Sequence, residues 1–300
     1  MPCYHPLKGW HQPFSKVITF KFAESNGIPY SVPCGQCLGC RMEKSRQWAM
    51  RCMHEASLHD ENSFITLTYA PENLPKNNTL KKEHFQKFMK RLRKQNTNKI
   101  RYYHCGEYGE TNLRPHYHAI LFNKDFPDKT LLNNKKDLFI SDELQRTWPM
   151  GYSTVGNVTF DSAAYVSRYI LKKQTGKGAQ RINPKTGLRP YERVDIDGVL
   201  QKQQVLPEYT TMSRRPGIAR DWIEKYKDDV YPTDNIHLNG VSMRPPKYYD
   251  NVVYEHYPSV IEEIKNARME NFDQSDNTPE RLAVKKKVAQ ARMSNFKRSI

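Results

Sequence analysis

Apolar and polar positions change period along the middle of the chain, and each change predicts an element. Residues 63–69 (Ser-Phe-Ile-Thr-Leu-Thr-Tyr) form a β-branched and aromatic run closed by Ala70-Pro71, which predicts a strand. Over 79–95 the period becomes helical, with Phe85, Phe88, Met89 and Leu92 at i, i+3, i+4 and i+7. Residues 100–105 predict a second strand, followed by Gly106-Glu107-Tyr108-Gly109-Glu110 and a turn through Thr111-Asn112. Residues 114–122 (Arg-Pro-His-Tyr-His-Ala-Ile-Leu-Phe) predict a third strand with an apolar end. A helix is expected over 161–174, opened by the N-cap candidates Asp161 and Ser162.

Elsewhere the pattern is sparser. Trp48, Cys52, Met53 and Ala56 share a stripe of a helix expected over 43–58, which makes Cys52 a core residue. Residues 176–204 are rich in Gly, Lys, Arg and Gln and read as a loop, either a DNA clamp or a solvated linker. A short helix is expected over 218–226 and another from about 258, with an extended, proline-fixed stretch over 243–249. Residues 280–300 carry Lys285, Lys286, Lys287, Arg292, Lys297 and Arg298 and read as a basic helix or arm. The expected organisation is a Cys-rich segment with a helix over 1–60, a core over 61–200, and a basic, partly helical extension over 201–300.

Charge narrows the partner. The 300 residues hold 48 Lys plus Arg against 32 Asp plus Glu, a formal net charge of +16, which seeks a polyanion such as nucleic acid. Mean hydropathy is −0.84, and no apolar run approaches the roughly 18 residues of a membrane helix. The first residues, Met-Pro-Cys-Tyr-His-Pro-Leu-Lys, hold no apolar stretch of a secretion signal. An intracellular protein acting on DNA or RNA is expected. The helix over 79–95 carries Lys81, Lys82, Lys87, Lys90, Arg91, Arg93 and Lys94 on its other face, either a solvated face or a phosphate contact.

Three residue sets carry chemistry. Cys34, Cys37 and Cys40 form a Cys-x2-Cys-x2-Cys run, with Cys3 as a fourth ligand and His5 behind it; close thiolates suit zinc, and reduced thiols in a turn are the alternative. His116 and His118, two apart on a strand, point to one face and can chelate one cation. Glu107, or Glu110, can add a carboxylate if the two strands form a hairpin, leaving open positions on Mg²⁺ or Mn²⁺. Tyr165 and Tyr169 stack one turn apart on the helix over 161–174, with Lys172 or Lys173 continuing that face. A phenol is a weak nucleophile at neutral pH unless one cation stabilises the phenolate and another polarises phosphorus. Arg214 and Arg215, beside an expected helix start, make a phosphate site, and Arg114 and Arg168 are further candidates for DNA contact.

In combination these motifs resemble the HUH endonucleases. Residues 114–122 resemble the His-hydrophobe-His motif, 64–69 the motif preceding it in rolling-circle initiators, and Tyr165-x-x-x-Tyr169-x-x-Lys the paired-tyrosine motif. The Cys34-Gly-Gln-Cys37-Leu-Gly-Cys40 segment and residues 212–218 (Met-Ser-Arg-Arg-Pro-Gly-Ile) are similar to replication initiators of small single-stranded DNA phages, the gokushovirus type of Microviridae. The resemblance implies an α+β fold: an RRM- or ferredoxin-like antiparallel sheet holding the metal, with the tyrosine helix beside it. It implies nicking of single-stranded or supercoiled origin DNA, a covalent 5′-phosphotyrosine, and rejoining of the ends, and it favours Glu107 as the carboxylate ligand. Without a Gly-x4-Gly-Lys-[Ser/Thr] loop, a helicase and a polymerase would come from the host, and the protein would work in the bacterial cytoplasm. The rival class is a non-catalytic, zinc-stabilised single-strand-binding protein with tyrosines as base platforms.

Overall fold

The computed structural model describes residues 3–13, 15, 17–109, 112–133, 137–172, 176–194, 202–238, 240–273 and 275–295. The first strands are β1 (Leu7–His11), β2 (Ile18–Thr19) and β3 (Pro29–Val32), followed by α1 (Leu38–Ala56). Next come β4 (Asn62–Thr68), α2 (Lys82–Lys94), β5 (Arg101–Tyr108), β6 (Pro115–Phe122), β7 (Thr130–Asn133) and β8 (Leu138–Ile140). Then follow α3 (Asp142–Thr147), β9 (Ser153–Gly156), α4 (Phe160–Lys172), β10 (Glu192–Val194), β11 (Lys202–Gln204) and β12 (Tyr209–Met212). The chain ends with α5 (Arg220–Val230), β13 (Ile236–Leu238), β14 (Val241–Met243), α6 (Lys247–Tyr254), α7 (Pro258–Glu270) and α8 (Pro279–Asn295). Among the described residues no helix is long and apolar enough to cross a membrane.

Two compact units result, residues 1–46 with 262–300, and residues 47–261. The first holds a three-stranded antiparallel sheet of order β2-β1-β3, the start of α1, and α8. The second is α+β, built on a seven-stranded sheet of order β12-β5-β6-β4-β9-β8-β7 in which every pairing is antiparallel.

Both faces of the central strands are covered, so their alternation sorts residues between two environments. On one face Ile65, Leu67, Tyr117, Ala119 and Leu121 pack with Phe85, Phe88, Met89 and Leu92 of α2 and with Trp148. The other face carries His116, His118 and Ile120 of β6 and Tyr103 of β5, and the fully buried Ala163 and Val166 of α4. Trp48 of α1 stacks on Tyr103 with ring centroids 4.9 Å apart. Arg51 lies between the Trp48 and Tyr248 rings, 4.0 and 3.7 Å from their centroids, and donates to the Ile218 carbonyl.

The observed boundaries differ from the expected ones for local reasons. β5 continues through Gly106 to Tyr108 because β12, a hundred residues later, pairs with it, Tyr209 opposite Gly106. A Cβ at Gly106 would sit 3.0 Å from both the Leu80 and Tyr209 side chains, so the missing side chain is what lets the two elements close. α2 starts at Lys82 instead of 79, since the Leu80 and Lys81 amides donate to the Tyr108 and Tyr117 hydroxyls and stay extended. Residues 247–249, expected to be extended, open α6, because Pro246 needs no amide partner there and serves as its N-cap. The 176–204 stretch holds a 3₁₀ turn (Gly176–Gln180) and the β10–β11 hairpin. The basic tail is helical through Asn295.

One buried histidine gives this unit a pH dependence. His54 of α1 stacks on Trp222 with centroids 3.5 Å apart and shares a 2.7 Å hydrogen bond with the Tyr249 hydroxyl. Burial lowers its pKa to about 3, against about 6.5 for a free imidazole. Above the unfolded value the ring is neutral in both states and costs nothing. As pH falls through 6.5 toward 3 only the unfolded chain takes the proton, so stability declines by up to about 1.4 kcal/mol per pH unit. Denaturant midpoints measured from pH 7 to 4 are expected to fall more steeply for the wild type than for His54→Gln; parallel profiles would exclude this cause.

Candidate active site

Register brings the histidines and the carboxylate together. Glu107 of β5 lies opposite His116 of β6, and His118 lies opposite Cys105 on one side and Thr66 of β4 on the other. Alternation then points Glu107, His116, His118 and Thr66 to one face. His116 Nε2 is 2.5 Å and His118 Nε2 3.0 Å from the same Glu107 oxygen, Oε1. One ligand atom from each residue lies within 4.8 Å of the other two, so the group can hold one metal ion.

The rings are fixed from behind. His116 Nδ1 lies 3.1 Å from the Arg114 carbonyl oxygen. His118 Nδ1 is 2.9 Å from the Thr66 hydroxyl, and Phe64 stacks on the ring at 5.6 Å. These partners hold both Nε2 atoms toward Glu107, as outer contacts do in metal sites. Burial opposes the charge on Glu107, yet hydrogen bonds from both imidazoles outweigh it and hold the carboxyl at about 2. A carboxylate ionised at every working pH is the form a cation needs.

Tyr165 stands beside this group. Its hydroxyl donates to Glu107 Oε1 at 3.5 Å, and its ring meets His118 edge-on at 5.1 Å. α4 is anchored at its start by Thr159 instead of the expected Asp161 or Ser162: Thr159 Oγ1 accepts from the Ser162 amide at 3.1 Å, and Ser162 Oγ accepts from the Thr159 amide at 2.8 Å. Ala163 and Val166 bury the helix face next to Tyr165.

A second group forms in the first unit. Cys3, Cys34, Cys37 and Cys40 place four sulfurs within 4.8 Å of one another, and none forms a disulfide. The Cys34 amide donates to Cys3 Sγ at 3.3 Å, the Cys37 amide to Cys34 Sγ at 3.2 Å, and the Tyr4 amide to Cys37 Sγ at 3.3 Å. Burial opposes ionisation of Cys37, but the Cys40 and Tyr4 amides and the neighbouring thiols bring it down to about 7. Burial and the Cys3 and Cys37 sulfurs push Cys40 far up. His5 is exposed and 3.1 Å from Lys286 Nζ, outside the tetrad. Cys52 is wholly buried in the core, as expected.

Other expected site residues are spread out. Arg114 is half-buried just before β6, with its Nε and Nη2 unpaired among the described residues. Arg168 is exposed on α4, and Arg214 and Arg215 are exposed before α5. Tyr169 and Lys172 lie on the described backbone of α4, but their side chains lie outside the described residues, as do Lys173 and Glu110 entirely. Sequence reasoning missed Thr66 and Phe64 as supports of His118; the signal was their period-two spacing on β4.

The class of protein is shown by likeness to known sequences. Residues 62–174 match the family model of the replication-associated protein ORF2/G2P. The chain is 30% identical over 271 residues to the replication-associated protein VP4 of Bdellovibrio phage phiMH2K, covering 86% of this chain and 79% of that one. It is 31% identical over 278 residues to replication-associated protein ORF2 of Spiroplasma virus 4 (83% and 79% covered). To replication-associated protein ORF4 of Chlamydia phage 1 it is 29% identical over 258 residues (82% and 56% covered). The chain belongs to this family of phage replication-associated proteins. No solved structure matches it.

The support geometry makes a direct prediction. Thr66→Val removes the hydroxyl behind His118 and is expected to weaken manganese binding about 10- to 100-fold in calorimetric titration, with the thermal midpoint little changed. Glu107→Gln is expected to abolish it. Wild-type affinity in both variants would show that the cation binds elsewhere.

Proposed function

We propose that this protein is a metal-dependent DNA nickase and strand transferase that initiates rolling-circle replication. The observation that carries the reading is the Tyr165 hydroxyl standing 3.5 Å from the carboxylate that both histidines face. In this reading Glu107, His116 and His118 hold Mg²⁺ or Mn²⁺, which supplies polarisation of the scissile phosphorus. The Tyr165 or Tyr169 oxygen attacks that phosphorus. A tyrosine–phosphorus ester bond forms as the phenol gives up its proton, the bond to the 3′ oxygen breaks, and the leaving oxygen takes up a proton, so that the proton count balances, to become a free 3′-hydroxyl. The phosphodiester energy is conserved in the 5′-phosphotyrosine, so a 3′-hydroxyl can attack it and reseal the strand. Lys172 or Lys173 stabilises phenolate or phosphate charge. Two tyrosines one turn apart permit two cuts in alternation.

The partners that follow are single-stranded and origin DNA, with a helicase and polymerase supplied by the host, in the cytoplasm of a bacterial cell. The donor set of Cys3, Cys34, Cys37 and Cys40 fits structural Zn²⁺. The competing reading, a non-catalytic single-strand-binding protein, would bind the same DNA without cutting it.

On a supercoiled origin plasmid, divalent-metal-dependent nicks with protein on the 5′ end are expected, and Tyr165→Phe with Tyr169→Phe should slow nicking by at least about 10³-fold. Nicking at the wild-type rate in the double variant would remove both tyrosines as nucleophiles; binding without any nick in the wild type would favour the non-catalytic reading. Mass spectrometry of protein trapped on a single-stranded origin oligonucleotide locates the adduct. Separately, elemental analysis should find about one zinc per chain, absent from Cys37→Ser. A zinc-free wild type would end the Cys assignment and leave the nicking proposal untouched.

A further inference from the structure

A second basic site lies at the far end of β5. A groove of about 510 Å³ is lined by Arg93, Lys99, Arg101, Tyr102, Arg214 and Arg215 among others, and no carboxylate belongs to its lining. Arg214, Arg215 and Lys99 are exposed and form no ion pair among the described residues. Of the five cations gathered here only Arg101 meets a carboxylate, that of Glu55. Such a set repels itself, and a bound anion relieves it.

The groove is built, not incidental. Ser213 ties its two walls together: its amide donates to Tyr102 O at 3.0 Å, and its hydroxyl accepts from the Tyr102 amide at 3.1 Å. This extends the β5–β12 pairing by one residue and fixes Arg214 and Arg215 next to it. Arg93 donates twice to Ile100 O, at 3.3 and 2.9 Å, and lies 5.5 Å over the Tyr102 ring. Arg101 is only 6% exposed; it is held by Glu55 and by the Pro216 and Gly217 carbonyls, yet its Nη1 has no hydrogen-bond partner among the described residues.

We infer that this groove anchors a backbone phosphate of single-stranded DNA, remote from the strand position held at Glu107. The inference rests on the nickase reading only in taking DNA as the polyanion. Arg101 and Glu107 are six residues apart on β5, roughly 20 Å at ~3.3 Å per residue. That span equals about six stacked nucleotides at ~3.4 Å each. The fork of Arg214 and Arg215 suits phosphate oxygens, and the Tyr102 ring offers a surface to a neighbouring base. A strand held here and at the metal-capable group would be fixed at two points, which sets its direction across the sheet.

The test uses the full chain carrying Tyr165→Phe and Tyr169→Phe, without added divalent metal, so that cutting plays no part and failure of the nickase reading leaves the result intact. Affinity for a 20-nucleotide single strand is measured by fluorescence anisotropy across a salt series. Arg214→Ala with Arg215→Ala is expected to bind at least about tenfold more weakly, with a salt slope shallower by about 0.7 for each phosphate that the variant leaves un-neutralised. Lys99→Ala, a surface change on a different segment, is expected to shift both in the same direction and carries the test if the arginine variant fails to fold. Excess inorganic phosphate at matched ionic strength should compete more weakly against the arginine variant than against its parent. Unchanged affinity and slope in the folded variants would overturn the inference, as would a groove that takes free phosphate while the variants still bind DNA normally.

Discussion

A buried carboxylate facing two imidazoles is the constraint on which the second unit turns. Glu107 is 1% exposed, and desolvating a charge is expensive unless opposite charge or hydrogen bonds replace the water. The hydrogen bonds come from one neighbouring strand to one oxygen, which requires Glu107 to sit opposite His116 with no slip. A shift of one residue would turn Glu107 into the apolar face packed by α2. Register is therefore held by everything that makes the two faces different: Phe85, Phe88, Met89 and Leu92 on one side, Ala163 and Val166 on the other.

The same tension appears in the first unit with different atoms. Four thiols share one small volume, and their environment splits them, bringing Cys37 down to about 7 while pushing Cys40 up. One thiolate is favoured at Cys37, while burial and the neighbouring sulfurs oppose another at Cys40. A soft cation removes that opposition and adds covalent-strength cross-links. Such links would suit this unit, where Phe20, Phe22, Ile28 and Tyr30 around the three-stranded sheet are exposed and packing supplies little.

What could be read in advance follows from how local each signal was. The stripe of α2 and the pair His116–His118 lie within one turn or one strand, and their periods of 3.6 and 2 reveal them directly. Cys3 was reached by counting ligands, since 31 residues separate it from Cys34 and nothing local joins them. The end of β5 was hidden because Gly106 breaks the β pattern, and the strand that pairs with it, Tyr209–Met212, is contributed by residues far along the chain. Thr66 was hidden because a threonine in a strand is ordinary; its role appears once His118 is opposite it. The basic groove joins residues 93–102 to 213–215, so the sequence displayed the Arg214–Arg215 pair without the wall that completes it.

The helix that carries the tyrosines imposes a condition on any alternation between them. Tyr165 is at the carboxylate because Ala163 and Val166 seat that turn of α4 on the sheet and the Thr159–Ser162 box fixes where the helix begins. The backbone of Tyr169 is four residues further along the same helix, about 6 Å at ~1.5 Å per residue. Side chains one turn apart stack but do not coincide, so two phenols cannot meet one ion in the same way at the same moment. If both act as proposed, either the strand is handed along the helix by about 6 Å or α4 slides by one turn. The buried face of Ala163 and Val166 resists sliding, because a one-turn shift would move both out of the packed surface they fill. The motion then belongs to the DNA, and a second anchor some 20 Å away along β5 is the kind of fixed point against which such a short transfer can be made.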